Sequence, residues 1–470
     1  MLHQCRFQRS SRAIPAILAG TLMAVAGVPA AQAESSAFSL FTPLAASVVG
    51  GSLPESAPLL LSSPNFTQRT ISANDAGSLN GNVTLGGNWD MNTLNENGPS
   101  AGRYLFTPYE TDQAGVKRLD LQTGQSVSIV APGTQGFYGG DASRWTPFGS
   151  YLTGEESWGT NSTRGRLFEI NNPLAAPGSV SFQQLNVLPR VAHEGLAFDK
   201  ARNLYFVDEF NGGKIYRYTS ATPNNGATFF AAGQTSVLTI GAGGNFETTG
   251  TGTWKPLTDA NGAPLPGIPT VIIGSDTVID GRAAAGAVGG TGFNRPEDLE
   301  IQTLANGTQR LYFGATGSHR VFSLDLGDPT SPVLKLFFDQ TTIDAATGLP
   351  VGSGFLNPDN IAIDSGGNIY VLEDIGNIGS LGFDIWFAFD SDRDGVAEQI
   401  GRWASLSTTG SEPTGLYFDP FRPNVAYLNV QHAASGIDRT IEITAVPEPM
   451  STALLGLGLL GLGLARQRRG

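Results

Sequence analysis

The chain has 470 residues, with Lys+Arg 28 against Asp+Glu 41, a formal charge of −13 and only 15% charged residues. That balance argues against nucleic acid as a partner, because a phosphate backbone calls for a clustered basic surface. Gly 61 and Pro 28 follow no Gly-X-Y period, so the composition is that of a turn-rich globular protein long enough to bury a full core.

Residues 1–33 begin with Arg6, Arg9 and Arg12, run through the apolar stretch Ile14 to Val28 and reach Ala31-Gln32-Ala33. A basic start, a short apolar core and a small-residue cleavage site predict a secretory signal peptide, with a retained anchor as the alternative. The single cysteine, Cys5, leaves with it. A mature chain without cysteine has no disulfide, no thiolate metal site and no thiol catalysis, so its stability is expected to come from packing and from oxygen-ligated cations. Residues 34–80 are expected to be extended or to close the last repeat unit.

Residues 81–445 repeat one local pattern: an acidic or small-residue opening, a short apolar run, a Gly/Asn/Asp turn and a second apolar run. Glu194 to Asp208 and Asp359 to Glu373 are two copies, with others at Glu297 to Gly314 and Thr414 to Asn429 and weaker ones near Tyr104 to Leu121 and Pro147 to Ile170. A third strand follows most copies, as at Lys214 to Tyr218 and Arg320 to Leu324. Repeated antiparallel units of this kind predict an all-β fold, a β-propeller with six blades, a β-sandwich pair being the alternative. The Gly/Ala/Pro-rich interval 220–293 breaks the spacing and is expected to be an insertion or a degenerate blade.

Carboxylates recur where one strand of a unit begins or the next ends: Glu155, Glu156, Glu194, Asp208, Glu209, Glu297, Asp298, Asp359, Glu373, Asp374 and Glu412. In a propeller the equivalent ends of the innermost strands converge on one axis, where carboxylates repel unless cations or protons neutralise them. Hard oxygen ligands select Ca²⁺, Mg²⁺ or Mn²⁺. The pattern therefore predicts a multi-cation axial site, against the plainer reading that each acid caps its own turn or sits on a solvated rim.

Asp390, Asp392 and Asp394 followed by Gly395 match the first half of a calcium loop, although Gly401 stands where an EF-hand has its closing Glu, and Glu398 could close it instead. An ordinary acidic turn is the alternative. Histidines are few, and His432 lies at a unit end where a proton-transfer role is geometrically open. Arg295, Arg320 and Arg439 stand beside unit ends; of these, Arg320 first and Arg295 next are candidates to grip an anionic substrate, each being also an ordinary partner for a nearby acid. No Gly-x-Ser-x-Gly elbow and no P-loop occurs.

Residues 446–470 read Val446-Pro447-Glu448-Pro449, an apolar stretch Met450 to Ala465, and Arg466, Arg468 and Arg469. In this order they resemble the PEP-CTERM sorting tail of exopolysaccharide-producing Gram-negative bacteria. The resemblance implies transient inner-membrane anchoring through a transmembrane helix, cleavage by an exosortase and release to the cell surface or extracellular matrix. Removing both ends takes away six arginines and leaves the mature chain more acidic still.

Four segments, Trp145 to Glu156, Ala192-His193-Glu194-Gly195, Asn357 to Asp364, and Glu412 to Gly415 followed by Leu428 to His432, resemble the PhoX-type alkaline phosphatase and phytase-like propeller family. The resemblance implies a phosphoesterase whose axial carboxylates hold several Ca²⁺ ions, with Glu155, Glu156, Glu194 and Glu412 as ligands, and an iron pair in PhoX members. Gly154 stands where those members place a cysteine iron ligand, so calcium alone is the expected metal. The expected function is an exported calcium-dependent phosphoesterase, phosphatase or phytase-like, acting on a phosphoester or other small anionic substrate. The alternatives are a non-enzymatic surface or matrix propeller that binds polysaccharide and a calcium-dependent, lactonase-like hydrolase.

Overall fold

The structure, a computed structural model, describes residues 36–75, 85–157, 159, 163–273, 275–374 and 381–446. The fold is all-β: small antiparallel sheets stand around an axis, and Gly281–Ala287 is the one α-helix among the described residues. Each sheet starts with its innermost strand and steps outward along the chain. Thr93–Leu94 leads to Gln125–Val130, Gly140–Trp145 to Phe182–Gln184, and Leu196–Phe198 to Gly233–Ile240. Pro296–Thr303 leads to Val333–Asp339 and Pro358–Ile363 to Gln399–Leu406, while Glu412–Phe418 starts a sheet that ends on the N-terminal strand Phe66–Ala73. That strand pairs with Arg439–Ala445, so hydrogen bonds join the beginning of the chain to its end.

The apolar strand positions explain why the sheets stack face to face. Phe106, Tyr151 and Phe168 fill the space between the first two sheets, Phe313 and Tyr205 lie in the cluster between the third and fourth, and Trp403 and Leu428 in that between the last two. Leu94, Leu105 and Tyr427 pack the last sheet against the first and complete the ring. Burying each such aromatic is worth roughly 2–3 kcal/mol, so the stability resides between sheets and leaves the axis free for polar groups.

The interval 220–293 supplies the outer strand Gly233–Ile240, the strand Gly250–Pro256 that bridges to the neighbouring sheet, a hairpin of Thr270–Ile273 with Asp276–Ile279, and the short helix. The transmembrane helix expected from the sequence is corrected: among the described residues no helix is long and apolar enough to cross a membrane. The signal and tail segments, and residues 76–84, lie outside the described residues.

The innermost strands carry the local feature that builds the site. Where Pro296–Thr303 pairs with its neighbour, the register slips between Pro296 and Leu299; the same slip falls between Pro358 and Ile361 and between Gly140 and Ser143. Each slip is a bulge containing two extra-aimed residues: Glu297-Asp298, Asp359-Asn360 and Asp141-Ala142. A bulge turns one side chain away from the sheet's normal alternation, and in each case the first residue carries a carboxylate.

Candidate metal centre

The second residue of two of these bulges, Asp298 and Asn360, shows what the bulge does. Asp298 accepts from its own Leu299 N at 2.7 Å and from Ile361 N of the next sheet at 3.0 Å. Asn360 likewise accepts from Gly415 N at 2.5 Å on the sheet beyond. These residues latch neighbouring inner strands together, and the residue before each is thereby turned toward the axis. Gly195 occupies the corresponding position after Glu194, where a Cβ would lie 2.1 Å from Leu299 N; no side chain fits where the two strands approach so closely.

Two groups of carboxylates result. Glu194, Glu297 and Asp359 offer oxygens within 4.8 Å of one another, and so do Asp141, Glu156 and Glu209. Burial, with Asp141 beside it, pushes the Glu194 carboxyl well above its ordinary range; burial, with Asp90 beside it, does the same to Asp141, so the two groups are electrically one site. Burial raises Glu297 to about 8 and, with Glu297 adjacent, raises Asp359 and Glu209. Glu412 is raised by burial and by its hydrogen bond with Asp374. Asp90 is raised to about 8 by burial and by Glu110.

Two partly exposed side chains, Arg295 and His432, border the acids. Arg295, at φ +55°, donates through Nη2 to Glu209 at 2.6 Å and lies 3.4 Å from Glu297, touching one carboxylate of each group. His432, at φ +57°, places Nε2 3.3 Å from Glu412 and 3.5 Å from Glu110; its hydrogen bond with Glu110 raises its pKa. At the opposite ends of the same strands Arg144 pairs with Glu300, and Tyr417 donates to Glu96 at 2.7 Å, beside a separate cavity of about 470 Å³.

Other sequence candidates are placed elsewhere. Glu155 is buried against Arg166, whose Nε donates to it at 2.9 Å, and Asp208 is gripped by Arg282 at 2.7 and 2.8 Å. Glu373 accepts from Leu356 N, Trp386 Nε1 and Asp384 N, which holds it in the sheet. Arg320 pairs with Glu247 from the 220–293 interval at 2.9 Å. Asp90, Glu110 and Asp141 were missed from the sequence. The opening Gly140-Asp141-Ala142 stands at the same bulge position as Pro296-Glu297-Asp298 and is the available signal for Asp141.

Asp390, Asp392 and Glu398 form a third group within 4.8 Å. Asp394 turns back instead to accept from Val396 N at 2.8 Å. Gly395, at φ +89°, makes the turn and donates to Asp390 at 3.1 Å.

The donor set suits calcium. It consists of carboxylates alone, and among the described residues Asp141 Oδ1 and Glu209 Oε2 are buried oxygens that no hydrogen-bond donor satisfies. It does not suit a thiolate-held iron. At Gly154 a Cβ would stand 2.5 Å from the Cβ of His193, and the buried His193 ring is kept neutral, its pKa pushed down to about 3 by burial and by Arg190. We expect Gly154→Cys to lower stability by about 1–3 kcal/mol through overpacking and to bind no iron, as read by urea denaturation and elemental analysis. An unchanged urea midpoint would show that the site has room.

The family described as alkaline phosphatase PhoX matches residues 138–434, well over half of the chain. No curated protein matches it. Among solved structures, a gluconolactonase from Xanthomonas campestris shares 12% identity at a TM-score of 0.44, over 86% of this chain and 98% of that one. A protein of unknown function from Bacteroides thetaiotaomicron shares 12% at 0.43, over 80% and 76% of the two chains. An auxiliary nutrient binding protein from Bacteroides ovatus shares 11% at 0.41, over 81% and 76%.

Proposed function

The chain belongs to the alkaline phosphatase PhoX family, and from that premise we propose that it is an exported calcium-dependent phosphoesterase, phosphatase or phytase-like, working at the end of a six-bladed ring where the bulge carboxylates meet. The observation that carries the reading is the pair of buried carboxylate groups joined through Asp141 and Glu194 and bordered by Arg295. Glu194, Glu297, Asp359, Asp141, Glu156 and Glu209 would hold the cations. Calcium bound there supplies Lewis-acid polarisation of a phosphoryl oxygen and charge neutralisation.

The chain's own residues do the rest. Arg295 donates through Nε and Nη2 to Glu209 and lies beside Glu297, which fixes its guanidinium at the edge of the acids, where its positive charge would attract an anionic phosphoryl group. His432 stands between Glu110 and Glu412, its hydrogen bond with Glu110 favours its protonated form, and it is placed to deliver a proton to the leaving oxygen. Burial of the acids keeps bulk water away from the ligating oxygens.

Elemental analysis of the purified protein, paired with p-nitrophenyl phosphate hydrolysis before and after chelation, tests the reading. More than one calcium per chain with turnover that chelation removes and calcium restores is the expected result. Stoichiometric calcium without turnover of any phosphoester would overturn the enzymatic reading and leave a cation-stabilised, non-enzymatic ring.

A further inference from the structure

Outside the carboxylate centre, a cavity of about 220 Å³ is lined by Arg164, Arg190 and Arg282 together with Gly165, Val191 and Asp280. Three guanidinium groups around one cavity are unexpected in a chain of charge −13. Two are held flat by rings: Arg164 lies 3.6 Å over Tyr138 and Arg282 3.8 Å over Phe210. Stacking of this kind orients the donor edges before any ligand arrives.

Arg190 is the telling member. Its backbone is bolted in place, its N–H donating to Ile279 O at 2.9 Å and its carbonyl accepting from Gly281 N at 3.0 Å. The residue is only 7% exposed, its Nη1 donates to Thr163 O at 3.2 Å, and among the described residues no carboxylate lies within ion-pair distance. Burial and the neighbouring Arg166 push its pKa down to about 10. Glu155 and Asp276 attract it only from beyond ion-pair distance; a buried guanidinium without a direct ion-pair partner is costly, and an anion entering the cavity would supply one.

The cavity also adjoins the metal centre along the chain at two points. Ser157 in its wall follows Glu156, and Arg282 holds Asp208, the residue before Glu209. We propose that the Arg164–Arg190–Arg282 cavity is an anion subsite, and that it takes a second carboxylate or phosphate carried on the leaving group of a phosphoester. The second half of this assignment rests on the phosphoesterase reading above; the first does not.

The test uses the full, calcium-loaded chain and sulfate, a tetrahedral dianion that the protein cannot hydrolyse. Calorimetry should find sulfate bound, with affinity at least about tenfold weaker in Arg190→Gln and in Arg164→Gln; Arg164 is exposed, so its variant serves even if Arg190→Gln fails to fold. In parallel, the ratio of kcat/KM for fructose 1,6-bisphosphate to that for p-nitrophenyl phosphate should fall about tenfold in the same variants, mostly through KM. Absence of sulfate binding, or equal binding by the folded variants, overturns the subsite even where both esters turn over. Sulfate binding lost in the variants without turnover of either ester upholds the anion site and overturns the phosphoesterase reading and the leaving-group role.

Discussion

Replacing Glu194 by Gln is expected to remove bound calcium from the axial site and to lower kcat toward p-nitrophenyl phosphate by on the order of 10²–10³-fold, with the fold retained. Glu194 joins both carboxylate groups: it shares a ligand-sized space with Glu297 and Asp359 and interacts directly with Asp141. An amide keeps the shape but offers one neutral oxygen, so the cations lose a formal charge at the point where both groups meet. The buried carboxyl is held far above its ordinary pKa, so the metal-free protein gives up little by losing it, and its melting temperature should hold or rise. Glu155→Gln is the contrasting variant. Its partner is Arg166 at 2.9 Å and not another acid, so calcium content should persist while stability falls by roughly 3–5 kcal/mol from the uncompensated arginine. Full turnover and full calcium in Glu194→Gln would remove this residue from the metal centre; calcium loss in Glu155→Gln would return the paired-glutamate assignment to the axis.

Much of this arrangement was legible in the chain, and the part that was not has a physical reason. The strand-turn-strand units are visible because inner and outer strands alternate apolar positions at a period of two and are bounded by Gly and Asn turns. The convergence of Glu194, Glu297, Asp359 and Glu412 follows from their common place in that unit. Which acid of an adjacent pair faces the axis does not follow, because a bulge places two neighbouring residues on different tasks. Glu297 reaches the cations' space while Asp298 latches Ile361 N; at the end of the strand Tyr151–Glu155, outside any bulge, Glu156 joins the acids while Glu155 meets Arg166. The arginines were illegible for a related reason. Arg320 at a strand start reads either as a grip on an anionic substrate or as a partner for a nearby acid, and the acid it meets, Glu247, comes from the irregular interval 220–293, where no periodicity fixes position.

The same buried acids make the pH dependence of stability differ between metal-free and calcium-loaded protein. Asp90 and Glu297, each fully enclosed, are raised from their ordinary 3.8 and 4.5 to about 8, with burial as the largest cause in both. Between those limits the unfolded chain has released these protons and the metal-free fold still holds them. A raised carboxyl therefore contributes stability that is complete below about pH 4 and is lost as pH rises through about 8, at a slope of about 1.4 kcal/mol per pH unit for each group. Calcium takes the place of those protons, so the loaded protein escapes this loss and binding releases protons into solution. Melting curves of chelated and calcium-loaded protein from pH 5 to 9 should accordingly diverge with rising pH, the chelated form falling on the order of 10 °C or more below the loaded one at the alkaline end. Calorimetric titration at pH 6.5 in buffers of different ionisation enthalpy should show proton release on calcium binding. Parallel melting curves with no proton release would mean that the axial acids are neutralised by their own arginines and histidine, and that calcium, where bound, sits in the Asp390–Glu398 loop.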